Sequence, residues 1–126
     1  MRVLVVDDTL AMRTTLRTML DGLGYKDVID AVNGNDAWSK LASSEVAVGL
    51  ILSDQNMPEC TGIEFLKKVR ADAKFAKLPF LMVTSEGDRG FLLEALKSGA
   101  SDIAIKPITV DVLKEKIARA MAKAAQ

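Results

Sequence analysis

Apolar residues form five runs along the chain, and an amphipathic stretch follows each run. Apolar runs without polar alternation are typical of strands that are buried on both faces of a parallel sheet. The second run is the weakest and suits a strand at the edge of the sheet. The predicted strands cover residues 3–6, 28–31, 48–52, 80–83 and 103–105.

The stretches between the strands carry apolar residues at the spacing of one helix face. Thr61, with Glu64 three positions later, predicts a capping box at the start of the third helix. Gly99 is expected to end the fourth helix, and Thr109 to begin the fifth. The residues predicted to face inward from the last two helices are Leu92, Ala95, Leu96, Val110, Leu113, Ile117 and Met121.

Strand and helix therefore alternate five times, which predicts an α/β fold. Short connections between buried strands imply right-handed βαβ units. The expected architecture is a doubly wound (βα)5 fold, in which helices cover both faces of a five-stranded parallel sheet. At 126 residues, the chain is predicted to be a single domain spanning residues 1–126.

Composition narrows the classes of function. The chain has 17 Lys and Arg residues against 17 Asp and Glu residues, so its formal net charge is zero. This balance predicts binding to neither nucleic acid nor an anionic membrane. No apolar stretch reaches transmembrane length, and the N-terminus meets acidic residues too soon for a signal peptide. With one cysteine, Cys60, and no internal disulfide, the chain is expected to be cytoplasmic.

Polar residues stand at the ends of four predicted strands. Asp7 and Asp8 follow the first, Asp54 the third, Thr84 the fourth and Lys106 the fifth. The carboxyl ends of parallel strands lie along one edge of a sheet, where ligands bind in this class of fold. The alternating pattern thus predicts that these side chains converge on one rim.

Three carboxylates at one rim would repel each other, and one lysine does not balance them. A Mg²⁺ ion would balance their charge, with Asp7, Asp8 and a backbone carbonyl near Asn56 as oxygen ligands. A cation, a lysine and a hydroxyl together can neutralise phosphoryl oxygens, and Asp54 is the best candidate nucleophile for an aspartyl-phosphate. Two simpler interpretations stay open: Asp8 as a helix cap, and Lys106 as an ordinary surface lysine.

Four motifs, in order along essentially the whole chain, resemble the receiver domain of bacterial response regulators. The similarity is greatest to the single-domain, CheY-like chemotaxis branch. It implies a flavodoxin-like fold with strand order 2-1-3-4-5. The motifs are Val5-Val6-Asp7-Asp8, Ser53-Asp54 with Met57-Pro58, Thr84-Ser85 and Lys106-Pro107.

The resemblance implies a phosphorylation-dependent signalling switch that acts on no substrate but itself. Asp54 would accept a phosphoryl group from a histidine kinase, since the chain has no histidine of its own. Mg²⁺ would bind at Asp7, Asp8, Asp54 and Asn56. Lys106 would pair with Asp54 and then with its phosphoryl group, and the peptide bond after Lys106 would be cis.

The resemblance also implies how the signal is switched. Thr84 would supply the hydroxyl that moves toward the phosphoryl group. Asn56 and Glu86 would flank the path of the hydrolysing water and accompany rapid dephosphorylation. Ile103 stands where the family usually has Tyr or Phe, so the usual rotation of an aromatic ring cannot operate as such. Gln55 stands where chemotaxis receivers often have Trp.

The resemblance places the partner surface on the fourth helix, fifth strand and fifth helix. Helical phase leaves Phe91 nearer the surface than its neighbours. With Ile103 it would form a partner site, or fill the space of the missing aromatic ring. The expected partners are a histidine kinase and a downstream target, with the flagellar motor switch as a candidate. The expected state is a monomer or a weak phosphorylation-dependent dimer.

Two other classes of function are compatible with an α/β chain of this length. A phosphatase that forms an aspartyl-phosphate would want a general acid two residues after Asp54, where this chain has Asn56. A flavodoxin-like cofactor carrier would want a phosphate-binding loop after the first strand, where Asp7 and Asp8 would repel a phosphate. Cys60 has no basic neighbour in the loop and is expected to be unreactive.

Overall fold

Strands and helices alternate in the computed structural model, which describes residues 1–124. The strands are β1 (Arg2–Val6), β2 (Asp27–Ala31), β3 (Val48–Ser53), β4 (Phe80–Thr84) and β5 (Asp102–Ile105). The helices are α1 (Leu10–Gly22), α2 (Gly34–Ser43), α3 (Gly62–Ala71), α4 (Arg89–Lys97) and α5 (Val110–Ala124). Over residues 1–124, none of these helices has the length and apolar character needed to cross a membrane.

The five strands form one parallel sheet in the order β2-β1-β3-β4-β5. This confirms the predicted fold and strand order, including the position of β2 at an edge. Because β1 and β3 lie in the interior of the sheet, both of their faces need apolar cover. Their uninterrupted apolar runs meet this need.

The helices cover the sheet as two layers, and β1 shows how one strand serves both. Val3 and Val5 point into a cluster with residues of α1 and α5. Leu4 and Val6 point into a second cluster with residues of α2, α3 and α4. Successive side chains of a strand alternate between the two faces of a sheet, so a fully apolar strand joins both clusters.

Local capping groups set the ends of the helices. Thr61 and Glu64 form the predicted capping box of α3. The Thr9 hydroxyl caps α1 by accepting a hydrogen bond from the Met12 N–H, so Thr9 and not Asp8 has the capping role. Gly99, after α4, has a φ of +108°, a conformation that an L side chain rarely adopts.

Two predictions of inward-facing residues are wrong. Leu96 is 44% exposed, because the buried face of α4 is centred on Ala95, with half-buried Phe91 and Leu92 one turn earlier. Val110 is 41% exposed. It lies on the same face of α5 as buried Leu113, but it is the first residue of the helix. The position of a residue around a helix does not decide whether another element covers its side chain.

Candidate functional site

The sheet brings the predicted strand-end residues to one rim through backbone hydrogen bonds. The N–H of Asp54 donates to the Val6 carbonyl at 2.9 Å, which holds the end of β3 beside the end of β1. The N–H of Lys106 donates to the Thr84 carbonyl at 2.8 Å and joins β5 to β4. Residues far apart in sequence are thereby positioned by the sheet itself.

Three carboxylates form an acidic cluster at this rim. Asp7, Asp8 and Asp54 each offer an oxygen atom, and these atoms all lie within 4.8 Å of one another. Asp7 is 1% exposed and Asp54 is 7% exposed, whereas Asp8 is open to solvent. One Asp7 oxygen accepts hydrogen bonds from the backbone N–H and the hydroxyl of Thr9, at 2.9 and 3.0 Å. The cluster is thus buried at its base and open on one side.

Lys106 is the cation of the site. Its ammonium nitrogen lies 2.8 Å from a carboxylate oxygen of Asp7 and 3.5 Å from one of Asp54. Asp54, the partner that the sequence predicted, is the more distant of the two. The peptide bond between Lys106 and Pro107 is cis, as predicted. One positive charge among three carboxylates leaves the site with an excess of negative charge.

The electrostatics of Asp54 are set mainly by its burial. Burial raises the pKa of Asp54 above its ordinary value of 3.8. Lys106 and a hydrogen bond from the Gln55 N–H lower the pKa and offset part of this rise, while the charge of Asp7 raises it further. In this hydrogen bond the Gln55 nitrogen lies 2.8 Å from one carboxylate oxygen of Asp54.

The donor set fits a hard divalent cation. Its ligand atoms are carboxylate oxygens, and their excess negative charge needs a counter-ion that one lysine does not supply. A carbonyl oxygen can add to this set from Asn56, two residues after Asp54. Within residues 1–124, no hydrogen bond engages that carbonyl. The cluster of Asp7, Asp8 and Asp54 could therefore hold a metal ion.

Thr84 is the last residue of β4, the strand beside β3, and Glu86 lies in the loop that follows. Thr84 is fully buried, and its hydroxyl accepts a hydrogen bond from the Glu86 N–H at 3.1 Å. This bond uses an oxygen lone pair, so the hydroxyl proton remains able to donate. Asn56, the other residue predicted to influence hydrolysis, is exposed.

Phe91 lies on α4 and Ile103 on β5, two of the elements of the predicted partner surface. Both are half-buried and pack against the apolar cluster beneath α2, α3 and α4. Phe91 is therefore more enclosed than the sequence predicted.

Cys60, near the acceptor loop, is buried, and its burial raises the pKa of the thiol, in keeping with the predicted lack of reactivity.

Arg13 is a site residue that the sequence did not reveal. Its guanidinium donates to the Asp7 carbonyl at 2.9 Å and to a carboxylate oxygen of Asp30 at 3.1 Å. It thereby links the end of β1 to β2. The only sequence signal was an arginine off the apolar face of α1, one turn after the first strand, and most such arginines point to solvent.

The sequence profile of the response regulator receiver domain matches residues 3–118 of this chain. The chain belongs to this family. It is accordingly a signalling protein controlled by phosphorylation, with a histidine kinase as phosphodonor and with downstream targets.

Individual relatives agree with this assignment. The chain is 43% identical over 118 residues to the chemotaxis protein CheY1 of Helicobacter pylori, covering 93% of this chain and 94% of that protein. It is 44% identical over 117 residues to the chemotaxis protein CheY homolog of Campylobacter jejuni, covering 93% and 89%. The crystal structure of CheY4, a Vibrio cholerae chemotaxis protein, superposes with a TM-score of 0.86 at 33% identity and covers 94% of this chain and 97% of its own.

Proposed function

We propose that Asp54 is the residue that takes up the phosphoryl group. The single observation that carries this proposal is the cluster of three carboxylates within 4.8 Å, with a lysine ammonium 3.5 Å from Asp54. Asp54 lies at the end of a buried strand, in a cluster that is open to solvent on one side. A carboxylate in this setting is shielded from competing water and still accessible to a donor.

Asp7, Asp8, Asp54 and the Asn56 carbonyl would hold Mg²⁺. When bound, the ion neutralises the negative charge that the phosphoryl group brings to the cluster. The oxygen-only donor set and its unbalanced charge support this choice of cation.

The proposed step transfers a phosphoryl group from nitrogen to oxygen. A carboxylate oxygen of Asp54 attacks phosphorus, and the new O–P bond forms as the P–N bond to the kinase histidine breaks. The imidazole leaves with the electron pair and takes up a proton from solvent. Lys106, already between Asp7 and Asp54, pairs with the phosphoryl oxygens. The chain acts on no other substrate and promotes only its own phosphorylation and dephosphorylation.

The proposed switch is the hydroxyl of Thr84. It donates its free proton to a phosphoryl oxygen and moves toward Asp54. This movement strains the present bond from the Glu86 N–H to Thr84, so it shifts the loop that leads into α4.

The proposed output surface comprises α4, β5 and α5. Exposed large apolar residues are concentrated there: Leu93, Leu96, Ile105, Val110 and Val112. Partly exposed Phe91 and Ile103 add to this surface and connect it to the core. Ile103 has no ring to rotate, so we propose that Phe91 takes over part of the switching.

The relatives suggest the biological setting. Both curated relatives described above are chemotaxis proteins, so we propose chemotaxis-type control in the cytoplasm, with the flagellar motor switch as candidate target. Residues 1–126 would act as one receiver domain. The domain would work as a monomer or as a weak dimer that forms on phosphorylation.

The signal is proposed to be short-lived. Asn56 and Glu86 would flank the path of a water in line with the phosphoryl group on Asp54, as the family resemblance implies. Intact mass measured after the donor is removed should show loss of phosphate within minutes. Persistence for hours at room temperature would contradict this proposal.

The decisive test is uptake from a small-molecule phosphodonor with Mg²⁺, followed by intact mass. The wild type should gain one phosphoryl group, and Asp54→Asn should gain none. Asp8→Ala should be slower because a metal ligand is lost. Asp21→Asn, which removes an exposed acid on α1, is the matched control and should label like the wild type. Labelling of Asp54→Asn at the wild-type rate would place the acceptor elsewhere.

A further inference from the structure

Gln55 uses both backbone groups and its side chain to tie the acceptor loop to α3. Its N–H donates to an Asp54 carboxylate oxygen at 2.8 Å. Its carbonyl accepts from the N–H groups of Met57 and Gly62, each at 3.1 Å. Its side-chain Oε1 accepts from the Ile63 N–H at 2.8 Å. One residue thus contacts the acceptor, the loop that follows it and the start of a helix.

The side-chain bond of Gln55 completes the cap of α3. The first N–H groups of a helix have no partner within the helix. Here the Gly62 N–H binds the Gln55 carbonyl, the Ile63 N–H binds the Gln55 side chain, and the Glu64 N–H binds the Thr61 hydroxyl. Gln55 therefore supplies two of three acceptors from a position seven residues before the helix.

This arrangement restrains the backbone on both sides of Asn56, whose carbonyl is a candidate metal ligand. Asn56 lies inside the turn that the Gln55 carbonyl closes with the Met57 N–H. The turn is held from outside by the bond between the Gln55 side chain and Ile63. If that bond is lost, only the backbone bond from the Gly62 N–H still ties Gln55 to α3, and its two neighbours in sequence, Asp54 and Asn56, lose a restraint that they share.

The close approach of α3 to the loop reinforces this restraint. A Cβ atom placed on Gly62 would lie 2.2 Å from the Asp54 carbonyl oxygen, so only glycine lets the helix start this near to the acceptor. The loop lies between the end of β3 and the start of α3, and the side chain of Gln55 joins the loop to the helix.

We infer that Gln55 is a positioning residue of the phosphorylation site, which sets the Asp54 carboxylate and the Asn56 carbonyl by anchoring their shared loop to α3. This inference rests on the proposed function. The Gln55 side chain binds the start of α3 and would act without touching the phosphoryl group. It acts as an outer-shell partner that orients the groups binding the metal, a type of contact whose loss commonly weakens metal binding.

The test compares two variants that remove different caps of the same helix. Gln55→Met keeps the length of the side chain and removes its acceptor, while Thr61→Ala removes the other side-chain cap and leaves Gln55 in place. Each should lower the unfolding midpoint by about 4 °C. The Mg²⁺ dissociation constant, followed by backbone amide NMR, should rise roughly tenfold in Gln55→Met only.

A conservative variant and a local readout complete the design. Gln55→Glu retains an acceptor for the Ile63 N–H, so hydrogen exchange at that amide should stay slow, while Gln55→Met should accelerate it. Wild-type Mg²⁺ affinity in Gln55→Met would overturn the inference and leave Gln55 as a helix cap alone. An equal loss of Mg²⁺ affinity in Thr61→Ala would also overturn the inference, because fraying of α3 would then explain the loss in both variants. A wild type that neither binds Mg²⁺ nor takes up phosphate would instead overturn the proposed function.

Discussion

The ammonium nitrogen of Lys106 lies 2.8 Å from a carboxylate oxygen of Asp7, although 99 positions separate the two residues. Asp7 is almost fully buried, so its charge needs this partner. Without a metal ion, the lysine therefore serves as the counter-ion of Asp7 as well as of Asp54. A metal ion and the lysine would compete for the same carboxylates.

The first prediction concerns this competition. Lys106→Met should lower the free energy of unfolding by roughly 1.5 kcal/mol without metal, because a buried carboxylate loses a charged partner. The same variant should bind Mg²⁺ more tightly than the wild type, since a competing cation is gone. Denaturant unfolding with and without Mg²⁺ measures both effects. Lys26→Met, which breaks an exposed pair with Asp21, is the control and should change neither quantity appreciably.

The second prediction concerns pH. Because burial raises the pKa of Asp54, the folded state binds this proton more tightly than the unfolded state does. Ionised Asp54 therefore lowers stability above that pKa, and the loss disappears as the pH falls through it. Without metal, Asp54→Asn should be more stable than the wild type at pH 7, and the difference should shrink as the pH approaches 3.8. A difference that grows on acidification would reverse the assigned direction.

The third prediction separates chemistry from switching at Thr84. Thr84→Val keeps the shape of the side chain but removes the hydroxyl, so phosphate uptake should continue while phosphorylation-dependent binding of the target falls about tenfold or more. Thr84→Ser keeps the hydroxyl and should retain most of the response. Uptake by intact mass and binding by titration are measured separately. If Thr84→Val responds like the wild type, the hydroxyl is not the switch.

The fourth prediction concerns the output surface. Phe91→Ala and Ile103→Ala should each take up phosphate normally and bind the phosphorylation-dependent partner more weakly. Each should also cost about 1–2 kcal/mol of stability, because both side chains are half-buried. Val46→Ala removes an exposed apolar group between α2 and β3, remote from α4 and α5 along the chain, and is the matched control. Wild-type partner binding in both test variants would place the output surface elsewhere.

The fifth prediction concerns the contact between α3 and the acceptor loop. Gly62→Ala places a methyl group against the Asp54 carbonyl and should lower stability by about 1–3 kcal/mol, with a clear loss of phosphate uptake. Gly22→Ala is the control, since nothing lies within 4 Å of its added Cβ. It should be neutral or slightly stabilising. Equal phosphate uptake by the two variants would show that the loop can yield without harm.

The sequence alone determined those features that depend on near neighbours along the chain or on the order of strands and helices. The five apolar runs identify the strands because an interior strand of a parallel sheet must be apolar on both faces. The capping box of Thr61 and Glu64 is determined within four residues. The convergence of Asp7, Asp54, Thr84 and Lys106 was also predictable, because alternating strands and helices place every strand end on one edge.

Only the tertiary structure decided what depends on distances between segments. Helical phase placed Leu96 and Val110 inside, yet both are exposed, because burial depends on what another element covers. Sequence pattern could not tell that Lys106 lies nearer to Asp7 than to Asp54, since a flexible side chain chooses between carboxylates by atomic distance. Sequence pattern did not reveal the role of Gln55 for the same reason. The Ile63 N–H that donates to its side chain is eight positions away and comes within reach only when α3 folds back onto β3.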